Sequence, residues 1–179
     1  MTGIVPPSRP MNSRQWARSL AIESGWPGYE PIVLLGVRGY YRDSMGEKGE
    51  NDRGIYDDAL FVMSPNVYAG FNANTDPSYA REGIATLATG VWRYKKGLHR
   101  IQYRALRQAA PVEVRRDGGK VELGWFGINI HKGSYTSTSS LGCQTVFPDQ
   151  WDAFRSLVYS EMDRVSVDTI TYVLTEAQG

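Results

Sequence analysis

The chain holds one cysteine and two histidines. Cys143 lies in Ser139-Ser140-Leu141-Gly142-Cys143-Gln144-Thr145, twelve residues after His131. A lone thiol behind a glycine, with an imidazole shortly upstream, supplies the groups that nucleophilic acyl transfer needs. The sulfur attacks a carbonyl, and the imidazole takes the thiol proton and later returns it to the leaving amine. Such an imidazole would keep the sulfur ionised at neutral pH, so a lowered thiol pKa is expected. A small residue before the nucleophile lets the backbone turn tightly, which makes the amides of Gly142 and Cys143 the expected donors to the developing oxyanion. The plain alternative is that Cys143 is a buried small hydrophobe and His131 a strand-end histidine satisfied within the protein.

These groups need elements to hold them. Phe126, Ile128 and Ile130 alternate with Trp125, Gly127, Asn129 and His131, which predicts one strand over 121–131. His131 then shares a face with Asn129 and Trp125, and the opposite face is core. Lys132 to Ser140 is rich in Ser, Thr and Gly, as a loop over an active-site rim would be, and it brings Ser139 and Ser140 towards the thiol. Pro148 can open a helix running to about Arg164, with Trp151, Phe154, Val158 and Met162 on its buried side.

Upstream, Pro6, Pro7 and Pro10 mark an extended leader over residues 1–12. Ser13 can cap a short helix whose Trp16, Ala17, Leu20 and Ala21 fall together, with Gly25 and Pro27 ending it. Strands are predicted at 32–37, 59–63, 67–71, 90–94, 100–106, 112–116 and 167–174, although 105–110 is also compatible with helix. Gly39 to Gly54 reads as a long loop, and Asn72 to Ser78 as a turn. Asp58 is a candidate to position an active-site group, against the plainer reading of a loop or strand start. The expected architecture is one mostly β (α+β) domain over residues 13–179, in keeping with a length of 179 residues.

Twenty Lys+Arg against nineteen Asp+Glu leave a net charge of +1, so no global field argues for nucleic acid or an anionic membrane. One cysteine makes neither an internal disulfide nor a multi-cysteine metal site, and the histidines lack a short metal-binding spacing, so no metal or cofactor is expected. No run of eighteen apolar residues suggests a membrane span, and the first residues read as a chain made in the cytoplasm without a secretion signal. From Arg93 to Lys120 there are nine Lys+Arg and two acidic residues. That stretch suits an anionic wall polymer or is simply a solvated basic face. It contains His99, which with Arg100 is a candidate contact for a substrate carboxylate.

Gly127-Ile128-Asn129-Ile130-His131-Lys132-Gly133, followed by a polar loop and Ser140-Leu141-Gly142-Cys143, resembles the His…Ser-His-Gly-Cys signature of the L,D-transpeptidase (YkuD-like) catalytic domain. Asn74-Thr75-Asp76-Pro77-Ser78, Gly97-Leu98-His99 and Gly142-Cys143-Gln144-Thr145 are also similar to short phage-encoded relatives. The resemblance implies a β-sandwich or barrel and a cysteine acyl-enzyme formed on peptidoglycan stem peptides. Cys143 would be the nucleophile and His131 the base, oriented by the carbonyl of Lys132 or Gly133. Read from their positions around that pair, His99, Ser140, Ser139, Asn129, Arg100 and Trp125 are the candidate substrate contacts. It further implies an L,D-peptidase or transpeptidase acting at the cell wall as a monomer, of the phage-lysis or wall-remodelling kind. Leu141 stands where the family has its second histidine, and Gln144-Thr145 replaces the usual pair after the cysteine. A wall-binding or phage structural module that has lost the chemistry is therefore the alternative.

Overall fold

The computed structural model describes residues 3–178. Eight strands close a barrel in the order β1 (Val33–Arg38), β11 (Thr169–Glu176), β5 (Gly90–His99), β6 (Tyr103–Gln108), β9 (Ile130–Lys132), β10 (Gln144–Val146), β3 (Tyr68–Asn74) and β2 (Asp58–Met63). A separate sheet has the order β4 (Ala85–Leu87), β7 (Val112–Arg116) and β8 (Val121–Gly124). Two helices complete the mostly β domain, α1 (Arg14–Glu23) and α2 (Pro148–Arg164). Among the described residues no helix is long and apolar enough to cross a membrane.

The helices form where local chemistry predicts them. Ser13 Oγ accepts the Trp16 amide at 3.1 Å, and Ala17, Leu20 and Ala21 bury against Val33, Leu35 and Phe61 on the outside of the barrel. Pro148 opens α2, which packs Trp151, Phe154, Val158 and Met162 into the main core with Leu60, Phe71 and Ile130. Residues 3–12 form no helix or strand; Ile4 O takes the Tyr56 amide at 2.7 Å and Arg9 donates to Gly70 O at 2.7 Å.

Three expectations need correction. The strand predicted over 121–131 is broken: β8 belongs to the small sheet, the chain departs at Trp125, Gly127 turns with φ 67°, and β9 joins the barrel. Buried Gln108 replaces the missing ladder, donating to Gly124 O (2.8 Å) and accepting from the amides of Phe126 and Ile128 (3.3 Å each). Arg100 and Ile101 do not start a strand but form the left-handed turn between β5 and β6, closed by Gln102 N donating to His99 O at 2.9 Å. Strand β3 continues through Asn74, so the turn expected from Asn72 begins only at Thr75. The short strands β4 and β10 were not anticipated.

Candidate active site

Most neighbours in the barrel are antiparallel, but β9 and β10 are parallel, with His131 opposite Thr145 and Ile130 opposite Gln144. The connection must carry the chain from the end of β9 back to the start of β10. Cys143, one residue before β10, therefore lies beside Asn129, one residue before β9. Asn129 N donates to Cys143 Sγ at 3.3 Å, and Gln144 N donates to Asn129 O at 2.9 Å.

The loop is pinned at several points. Tyr56 Oη donates to Ser134 O (2.7 Å) and accepts the Ser134 amide (2.9 Å), while Ser140 N donates to Ser78 Oγ (2.8 Å) and Ser78 N to Ser140 O (2.9 Å). Below it Gln144 bridges Thr75 O (3.2 Å) and the Tyr172 hydroxyl (2.8 Å). Arg38 donates to Thr75 O and Leu87 O. The loop that leads to Cys143 thus rests on a buried polar floor rather than on the apolar core.

His131 is buried, and its Nδ1 lies 2.7 Å from Lys132 O. A carbonyl only accepts, so Nδ1 carries the proton and Nε2 keeps its lone pair, the tautomer a general base needs. Burial, followed by the charge of His99, pushes its pKa down to about 4, so the ring is neutral at pH 7. The His99 ring stacks on it, centroids 4.0 Å apart and 21° between planes. His99 Nδ1 in turn lies 3.4 Å from Asn129 Nδ2. Burial, then the charge of Arg100, lowers His99 as well.

The thiol is not the ion expected from the sequence. Burial pushes Cys143 above the usual thiol range, and the Asn129 amide and the Arg100 charge only partly offset it. Sγ donates to Gly127 O at 3.5 Å, and among the described residues no hydrogen bond joins it to an imidazole. The resting pair is thus neutral thiol and neutral imidazole. One oxyanion donor is also corrected: Gly142 N is spent on Ser140 Oγ at 3.0 Å. The Cys143 amide, by contrast, has no partner among the described residues. Gly142 has φ 137° and passes so near Ala85 that a Cβ there would meet the Ala85 carbonyl oxygen at 2.6 Å.

Cys143, His131, Asn129 and His99 are brought together, with Arg100 acting on both imidazoles and the sulfur. Ser140 is placed under the loop instead, where its hydroxyl donates to Cys143 O at 2.6 Å and shapes the turn. Ser139 is exposed with φ 55°, its amide held by Ser137 Oγ at 3.2 Å. Trp125 stands 64% exposed beyond the end of β8, not beside His131, because the predicted strand is broken. Leu141 is 59% exposed. Asp58 braces the chain just after β1 and β3, accepting from Gly39 N, Thr75 N and Thr75 Oγ1. The Tyr103 hydroxyl, by contrast, lies 3.4 Å from His131 Nδ1, and burial raises its pKa against the opposing Lys132 backbone. Only its strand spacing from His99 could have flagged it. Among the described residues no three His, Cys, Asp or Glu side chains gather to hold a metal ion.

Compared with known proteins, the chain matches no family model, no curated protein and no solved structure.

Proposed function

We propose that the protein is a cysteine enzyme of the L,D-transpeptidase (YkuD-like) kind, cleaving an L,D peptide bond of the peptidoglycan stem peptide through an acyl-enzyme. The observation that carries this reading is the imidazole of His131, held by Lys132 O in the tautomer that leaves Nε2 bare, two strand positions beyond the Asn129-Cys143 contact. Because both groups rest uncharged, His131 acts as a general base during attack. Substrate turns the thiol from Gly127 O, Sγ bonds to the carbonyl carbon as its proton passes to Nε2, and the carbonyl electron pair moves onto oxygen beside the Cys143 amide. Collapse of that intermediate breaks the C–N bond, and Nε2 returns the proton to the departing amine. Water then releases a shortened peptide, or a second amine makes a cross-link. The site of action is the bacterial wall, with a phage-type lytic or wall-remodelling role.

A second reading, a wall-binding module without turnover, draws on two observations: the missing hydrogen bond between Sγ and an imidazole, and exposed Leu141 at the position of the second family histidine. Diaminopimelate-type peptidoglycan incubated with wild type, Cys143→Ala and His131→Gln, followed by mass spectrometry of soluble muropeptides, separates the two. Products made by wild type alone support the enzyme and name the bond. Identical product sets from all three refute it.

A further inference from the structure

A groove of about 420 Å³ runs beside the candidate site, lined by Tyr103, Arg104, Lys132, Trp151, Asp152 and Arg155. Its wall is continuous with the site: the Tyr103 hydroxyl reaches His131 Nδ1, Lys132 follows His131 in β9, and Trp151 meets Tyr103 edge-on at 6.1 Å. Three cations face one carboxylate. Among the described residues Arg104 and Lys132 form no ion pair, and Arg155 has only a 3.7 Å approach to Asp152, which is almost fully in solvent. Two aromatic rings flank these charges, which lowers the local dielectric and strengthens any anion contact made there.

Resting on the proposed function, we infer that this groove is the subsite for a free carboxylate of the acyl-donor peptide, read by Arg104, Lys132 and Arg155 with Tyr103 and Trp151 as its walls. Asn129 marks the nucleophile and Lys132 the groove, three residues apart on an extended chain, so the carboxylate sits roughly 10 Å from the attacked carbonyl. The substrate class is therefore a peptide acidic near its scissile bond, and a neutral analogue is discriminated against. Guanidinium groups suit this task because their forked donors match both oxygens of a carboxylate.

The test uses full-length Cys143→Ala protein, which binds without turnover, and two synthetic stem tetrapeptides identical except that one has its side-chain carboxylates converted to carboxamides. Isothermal titration at low salt is expected to show the free acid binding about tenfold more tightly than the amide. Arg104→Gln and Lys132→Gln, both at exposed positions, should each weaken the acid several-fold and leave the amide unchanged, with far-UV circular dichroism confirming the fold. Equal affinity for the two peptides, or loss of both together in the variants, overturns the groove while leaving the proposed activity standing. Binding of neither peptide overturns both.

Discussion

Replacing His99 by phenylalanine isolates what the stacked ring does to the base. Phenylalanine keeps a flat ring over His131 and so preserves its burial, but it removes the charge that His99 gains in acid. Protonating His131 beside a charged ring 4.0 Å away costs 332/(εr), about 1 kcal/mol at the dielectric constant of water and about 4 kcal/mol at an effective value of 20. That is roughly 0.7 to 3 pH units at 1.36 kcal/mol per unit. His99 is half-buried and the pair borders solvent, which places the effect near the lower end. The His131 midpoint should therefore rise from about 4 to about 5 in His99→Phe. With only two histidines in the chain, the Cε1–H region of a ¹³C-edited NMR titration has two imidazole signals in wild type and one in the variant. A single signal that still titrates at about 4 would show that the neighbouring charge contributes nothing. A wild-type His131 that titrates near 6.5 would refute the buried neutral base itself, and with it the tautomer argument.

Other outcomes follow from the same geometry. Because burial raises the thiol, iodoacetamide should modify Cys143 at pH 7 more slowly than a free cysteine, with an apparent pKa above the free value and little change in His131→Gln; rapid alkylation governed by a depressed pKa would contradict it. Gly142→Ala should cost about 1–3 kcal/mol in a thermal melt and lower kcat/KM at least tenfold, since the left-handed backbone and the Ala85 carbonyl leave no room for a methyl group. The buried acids make stability depend on pH. Burial and the charge of Asp58 raise Asp76 to about 7 and Asp57 to about 9, so the folded state holds protons that the unfolded chain releases above about pH 4. Their contribution falls as pH rises through those values, at up to about 1.4 kcal/mol per unit for each group. His131, lowered to about 4, acts in the opposite sense, adding stability between about pH 4 and 6.5 and nothing further above that. The net slope is therefore downward from about pH 4 to 9, steepest between about 6.5 and 7, and Asp57→Asn should flatten it above about pH 7 in melts followed by circular dichroism.

What was legible in the sequence was local. Ser13, Pro148 and the spacing of Trp151, Phe154, Val158 and Met162 carry their own instructions, so both helices form where they read. The break between β8 and β9 was hidden because the bonds that replace the ladder come from Gln108, sixteen to twenty residues upstream. That single hidden partner is also why Trp125 fails to join His131. The turn at Arg100-Ile101 was equally opaque: two left-handed residues stand there without the glycine or asparagine that usually announces one. That Cys143 and His131 are residue types suited to acyl transfer was readable in the sequence, but the inward turn of Ser140, the stacking of His99 and the protonated thiol all depend on strands distant in sequence meeting in the barrel.

Strand β11 sits between β1, which it joins in parallel, and β5. A nascent polypeptide halted before residue 169 would expose both of those edges as templates for intermolecular pairing. On the ribosome, the wall of this cylinder stays unsealed until its final stave has left the exit tunnel, long after Cys143 has emerged. Pairing across some 138 positions also demands a slow search, so assembly should be rate-limited by this last docking event rather than by collapse of the interior.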